Sequence, residues 1–539
     1  MESPEKPQAG GPHRIGLSAG LIGIATMTSR ILGLIRDQVL AFFFGAGDAM
    51  DAFNVAFRIP NLVRDLFAEG AMSAAFVPTF TSTLTLKGRA EAWRLGSLVI
   101  NGLILVTGVL VILGIIFTRP LILLFAGDFA AVPGKIDLTV GLTRIMLPFL
   151  SLVAIAVALM GMLNASHRFF IPALSPAMFN VATIICAFAL VPVLPALGID
   201  PITAIAIGTI LGGLGQVAIQ WPLLRREGFR YRLLFDPRDE GLRQVLFLMV
   251  PGMLGLAAVQ INLLVNTMLA TGEGTGPVSW LNYAFRLMYL PIGLLGVSIA
   301  TASLPRISQC AALDDLPALR ATVARSLRLI FMLNVPAMAG LLVLAHPIVA
   351  VIFEHGKFKP EDTEATTLAL QYYAPGLLGY SAVKIAAPSF YALKESRTPV
   401  LVGALTVAVN IVLNVTLVKW IGFKGLALGT GLAALFNSGM LLWILRRRLG
   451  GLEGRQIAIS LSKITAASLV MAAAAAAAEW GLRTVLPGGS IGIQALRLAA
   501  SILLALVVLA LSARALRIGD FDEALGMVTR RFRRRSSGV

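Results

Sequence analysis

The chain has 539 residues, 57% of them hydrophobic and 14% charged, whereas a soluble globular chain is roughly half apolar and a quarter charged. Water is excluded as its main solvent, and at about 20 apolar residues per crossing the length admits about fourteen transmembrane helices with little left for a soluble domain. The net charge of +17 sits mostly in short loops beside apolar stretches, where the positive-inside rule accounts for it, so no nucleic-acid partner is expected.

The first residues, 1–15, form a polar tail with no small-residue cleavage site, so no removable signal peptide is expected. Apolar stretches follow at 16–44, 49–83, 94–118, 138–164, 171–195, 202–224, 244–271, 278–304, 326–353, 365–392, 399–421, 425–445, 459–481 and 491–513. They predict an all-α polytopic membrane protein. The organisation expected is a first lobe over 16–225, a basic inter-lobe loop over 226–243, a second lobe over 244–447, two further spans within 448–513 and a basic tail over 514–539. Assigning alternate loops to opposite sides puts roughly 30 Lys and Arg on one side and about 7 on the other, which places both termini in the cytoplasm. Cys186 and Cys310 offer neither a disulfide framework nor a metal cluster. No phosphate-binding Gly-x-x-x-x-Gly-Lys-Ser/Thr loop is present, and no cofactor or metal is expected.

An internal repeat relates the second and eighth spans. Asn54-Val55-Ala56-Phe57-Arg58 resembles Asn282-Tyr283-Ala284-Phe285-Arg286, and each is followed about twenty residues later by an apolar-Pro step, Val77-Pro78 and Leu304-Pro305. Six spans separate the copies, so the lobes are expected to be parallel repeats facing one another across a cavity, an arrangement that supports alternating access.

The first two spans carry charge where charge is costly. Arg30, Arg36 and Asp37 lie in the first; Asp51, Arg58, Arg64, Asp65 and Glu69 lie in the second. A charge at the bilayer centre costs about 3 kcal/mol on insertion scales, so this cluster is expected to face inward. Asp51, Asn54, Arg58, Asn61 and Asp65 recur at steps of three and four and form one polar stripe, in a helix that Pro60 kinks. Arg30 and Asp37 share a face of the first span, with Gly33 as a bend between them, while Arg36 points elsewhere unless the helix deforms. Salt bridges tying helices together are the structural alternative. Yet Arg30, Arg36, Arg58, Arg64 and Arg286 outnumber Asp37, Asp51, Asp65 and Glu69, and the stretch from Ser279 to Ala300 around Arg286 holds no acid. An uncompensated guanidinium in a span calls for an anionic guest, and guanidinium groups engage phosphate bidentately.

The run Ser29-Arg30-Ile31-Leu32-Gly33-Leu34-Ile35-Arg36-Asp37, with Phe44-Gly45-Ala46-Gly47, Asp51-Ala52-Phe53, Pro60-Asn61-Leu62 and Phe67-Ala68-Glu69-Gly70-Ala71, resembles the N-terminal signature of the MurJ (MviN) lipid II flippases. Ser279-Trp280, Arg286-Leu287, Phe353-Glu354-His355-Gly356-Lys357-Phe358 and Tyr391-Ala392-Leu393 ahead of Thr398-Pro399 extend the resemblance over nearly the whole chain. The family belongs to the multidrug/oligosaccharidyl-lipid/polysaccharide exporter superfamily. Membership implies two six-helix lobes plus two C-terminal helices that form a groove for the lipid tail. It further implies a bacterial inner-membrane flippase, not an enzyme, that moves lipid II to the periplasmic leaflet for peptidoglycan synthesis. Substrate binding would fall to Arg30, Arg36, Arg64 and Arg286. Asp37, Asp51, Asn61 and Glu69 occupy family motif positions, with Asn54, Arg58 and Asp65 supporting the cavity. Lipid II, membrane lipid and proteins of wall synthesis would be the partners.

The chain departs from its relatives at two places. Phe285 and Tyr289 stand where some members carry acids beside the second-lobe arginine. At the position of a sodium site in other members it offers Asn266, Asn410 and Asn414, amides that could ligate a cation but bring no compensating charge; Asn410 and Asn414, at i and i+4, also read as an interhelical hydrogen-bond pair. The rival readings are another exporter of the superfamily, either a polysaccharide-lipid flippase or a multidrug antiporter, a membrane-embedded glycosyltransferase or phosphatase, and a scaffold.

Overall fold

In the computed structural model residues 12–65, 72–523 and 526 are described, and every regular element among them is helical. A backbone surrounded by hydrocarbon has no water to bond, so each crossing segment closes its own hydrogen bonds as a helix. The chain forms two compact units, Met1–Gln260 and Ile261–Val539.

The first unit contains α1 (Pro12–Phe44), α2 (Asp48–Arg64), α3 (Ser73–Leu86), α4 (Gly88–Ile116), α5 (Thr118–Ala126), α6 (Lys135–Met146), α7 (Phe149–Ala165), α8 (Phe170–Leu190) and α9 (Thr203–Arg226), and the division between units falls within α10 (Glu240–Thr271). The second contains α11 (Pro277–Pro291), a π-helical turn at Ile292–Gly296, α12 (Val297–Ala312), α13 (Leu316–Val343), α14 (Ala345–Phe353), α15 (Pro360–Tyr373), α16 (Gly376–Ala392), α17 (Arg397–Ile421), α18 (Phe423–Arg448), α19 (Gly454–Val485) and α20 (Ile491–Ala515).

Each apolar stretch expected from the sequence coincides with one helix or with a broken pair. Nine helical segments among the described residues are long and apolar enough to cross a bilayer individually. The expected span 326–353 is corrected: α13 begins at Leu316 and ends at Val343, and α14 is a separate helix. Spans four and ten break at Leu147-Pro148 and Ala374-Pro375, where proline lacks the N–H that would continue the ladder. The internal repeat reaches the architecture. A long helix is followed by a short one of 9 residues in each unit, α5 and α14, and the helix after each proline break has 17 residues, α7 and α16.

In the first unit α1 packs on α8 and α8 on α9. The α8–α9 contact is close because Gly208 and Gly212 face it, one turn apart: a Cβ on either would lie 2.9 Å from the Cα of Thr183 or 2.8 Å from the Cα of Phe179, the small-xxx-small device of membrane helices. Phe76, Phe80, Val99, Leu159, Met162 and Phe229 belong to one core of that unit. In the second unit the core runs from Leu327, Ile330, Ile385 and Leu441 to Ile464 and Ala475, so α19 packs directly against α13. The alanine run of α19 is divided: Ala472 and Ala475 are buried in that packing, whereas Ala473, Ala476 and Ala477 are exposed.

Candidate functional site

The polar residues of α1 and α2 form a set of ion pairs inside the first unit. Arg36 and Asp37 are both buried, 8% and 4% exposed. The Arg36 guanidinium donates from Nη2 to Asp37 Oδ1 at 2.8 Å and lies 5.1 Å from the centre of the Phe179 ring. Arg36 is thus directed inward without any break in α1, because the phenyl face of α8 accepts the cation and the adjacent carboxylate neutralises it. Asn180, the next residue of α8, donates to the Ser29 carbonyl at 3.1 Å, and a Cβ at Gly33 would stand 3.7 Å from its side chain, an ordinary contact. Arg30, half-buried on the same helix, makes no hydrogen bond or ion pair with any described residue.

Along α2 the expected stripe is present, and Asp51, Asn61 and Asp65 meet different partners. Arg64 donates to Asp65 Oδ1 at 2.7 Å, while Asp65 Oδ2 accepts from Asn61 at 3.4 Å and from Gln260 at 3.3 Å. Asn54, Arg58, Asn61, Arg64 and Asp65 are half-buried. Glu69 lies outside the described residues. Asp51 is fully buried, and a cation facing it is one that sequence reasoning missed, Lys135. The Lys135 ammonium lies 2.7 Å from Asp48 Oδ1 and 3.4 Å from Asp51 Oδ2, with the Phe129 ring centre at 4.0 Å. Lys135 is itself 3% exposed. Its signal in the sequence was faint, since it opens α6 after a loop and reads as a solvated flank.

In the second unit Arg286 is exposed on α11. The positions of the missing acids are filled by an aromatic cluster: Phe285 stacks on Tyr289 with ring centres 5.8 Å apart and meets Tyr373 at 5.5 Å and Tyr380 at 6.1 Å. The π-helical turn that follows is a feature frequent at functional sites. Asn414 donates to Asn266 Oδ1 at 2.6 Å and to Asn410 Oδ1 at 3.1 Å, so the three amides form a buried hydrogen-bond clasp between α10 and α17. Among the described residues no group of three His, Cys, Asp or Glu could hold a metal ion.

The fold and these clusters define the class: a polytopic α-helical membrane protein built from a duplicated helical unit, with guanidinium groups inside its apolar helices. The family model described as "Lipid II flippase MurJ" matches residues 40–499. Among curated proteins, the chain is 36% identical over 442 residues to a probable lipid II flippase MurJ of Vibrio cholerae, covering 79% of this chain and 82% of that one. It is 35% identical over 427 residues to a lipid II flippase MurJ of Burkholderia cenocepacia, covering 78% and 82%. Among solved structures, a lipid II flippase MurJ in an inward closed conformation aligns with TM-score 0.74 and 27% identity over 92% of this chain and 99% of that one. A MATE-family multidrug transporter in an inward-facing conformation aligns with TM-score 0.67 at 15% identity, over 81% of this chain and 99% of that one, a likeness of fold. The chain belongs to the MurJ lipid II flippase family.

Proposed function

We propose that the chain is a lipid II flippase of the bacterial inner membrane, with both termini cytoplasmic, and that it moves the undecaprenyl-diphosphate-linked peptidoglycan precursor outward by alternating access. The diphosphate is engaged by Arg30, Arg36 and Arg64 of the first unit and by Arg286 of the second. The observation that carries this reading is Arg30, a half-buried guanidinium with no acid partner among the described residues in a helix of 33 residues. A cation kept in an apolar span without a counter-charge is a standing cost unless an anion visits it. Arg36 and Arg64 each hold an aspartate next in sequence, and in this reading those carboxylates are the counter-ions that keep the cations charged and oriented while no diphosphate is bound. Arrival of two phosphate charges then neutralises cations that otherwise resist approach in low dielectric, and the transporter is free to change state.

The test uses cells whose growth depends on this chain. Replacing Arg30 or Arg286 with alanine is expected to abolish growth and the appearance of precursor in the outer leaflet while membrane insertion is unchanged. Normal growth on either variant removes that arginine from the site.

A further inference from the structure

The segment between α9 and α10 has no regular secondary structure over residues 229–236, yet it lies along α4, an apolar helix. Its polar backbone groups lie outside any helix or ladder and need other partners, and α4 supplies several of them. Asn101, buried in α4, donates to the carbonyl oxygens of Arg232 at 3.0 Å and Leu234 at 2.8 Å and accepts from the Tyr231 hydroxyl at 2.5 Å. Ser97, one turn earlier, accepts from the Arg232 N–H at 3.4 Å. Phe229 is buried between Trp93 and Trp221, with ring centres at 5.6 and 6.0 Å. The segment is therefore a strap fixed to α4 at both its start and its middle.

What the strap turns outward is of two kinds. Leu233 and Phe235 are 86% and 69% exposed, and Arg225, Arg226, Arg230, Arg232 and Arg238 are exposed around them. Most of the nearby acids are committed: Asp236, Asp239 and Glu91 pair with Arg94, and Glu227 pairs with Arg168 at 2.7 Å, while Glu240 is exposed at the start of α10. Among the described residues none of these five exposed arginines, two in the strap and three flanking it, has a carboxylate partner. These guanidinium groups are open to an external anion, and they stand beside bulky apolar side chains that are themselves exposed.

We propose that residues 225–238 form a binding site for anionic phospholipid of the cytoplasmic leaflet, with Arg230 and Arg232 on the phosphates and Leu233 and Phe235 inserted among the upper acyl carbons. Charge complementarity and the apolar anchors together favour a lipid over a soluble anion, which would have no use for Leu233 and Phe235. Asn101 is the positioning residue, because it holds the strap at the depth where both contacts are made.

Two measurements on the full-length protein test this. Native mass spectrometry after reconstitution in mixed phosphatidylglycerol and phosphatidylcholine is expected to show retained phosphatidylglycerol falling on the order of fivefold for each arginine replaced in Arg230→Gln and Arg232→Gln, with phosphatidylcholine unchanged. Equal retention of phosphatidylglycerol by wild type and the double variant overturns the proposal, as does an equal loss of both lipids. A nitroxide on Leu233→Cys, with the native Cys186 and Cys310 buried and unreactive, is expected to be relaxed more by oxygen than by a water-soluble nickel chelate, and to reverse that preference when Asn101→Ala is added. A label that favours nickel in the otherwise wild-type chain places the strap in water and sinks the idea.

Discussion

The second span of the first unit and its repeat in the second use the same backbone for opposite electrostatics. In α2 Asp51, Asn61 and Asp65 of the polar stripe are held by an ion pair and side-chain hydrogen bonds that include Lys135 and Gln260. In α11 the equivalent stretch carries Arg286 beside Phe285 and Tyr289, which stack on each other and meet Tyr373 and Tyr380 edge-on. A duplicated helix keeps its packing period while its side chains diverge: around α2 the polar contacts include buried charge pairs, whereas around α11 and α17 aromatic rings and neutral amides take that place, and ion pairs of the second unit such as Arg325–Glu523 lie elsewhere. The first kind of hold breaks badly when one partner is lost; the second degrades by degrees.

Four substitutions grade that difference. Lys135→Met leaves Asp51 buried without this counter-ion, and loss of one member of a buried pair costs about 3–5 kcal/mol; a large drop in unfolding temperature in detergent is expected, and a variant that melts like wild type would show that the charge hold is not what secures the first unit. Phe285→Ala removes one ring from a partly buried cluster and is expected to cost about 2 kcal/mol, with no change on raising salt, which separates it from an ion-pair effect. Asn414→Leu breaks the amide clasp at about 1 kcal/mol, and exchanging sodium for potassium is expected to leave the melting of wild type unmoved; a sodium-specific stabilisation lost in the variant would instead make the three amides a cation site. Arg325→Ala, which removes a surface pair to Glu523 at 2.6 Å with the arginine side chain 61% exposed, is expected to cost less than about 1 kcal/mol and to vanish in high salt.

Much of the fold was legible because a bilayer imposes one length and one hydrogen-bonding solution on every crossing. The repeat was legible from Asn54 to Arg58 against Asn282 to Arg286, and the matching short helices α5 and α14 carry it into the architecture. The candidate site was legible as a set of charges, not as a set of pairs. Asp51 and Lys135 are 84 positions apart and Asn101 and Tyr231 are 130 apart, so no local period connects them. Arg36 illustrates the same limit: helical spacing set it off the Arg30–Asp37 face, yet Phe179 of a distant helix made burial on that side favourable.

By itself the sequence determined the solvent, the all-helical class, the duplication and the presence of guanidinium groups in apolar helices, since each follows from composition or from spacing within one element. Tertiary structure alone decided which acid neutralises which cation, where the prolines split a span into two helices, and that an irregular strap is fastened to α4. Those outcomes depend on distances between residues far apart in the chain, and the strength of a charge pair or a buried hydrogen bond is set by that distance and by the water excluded around it.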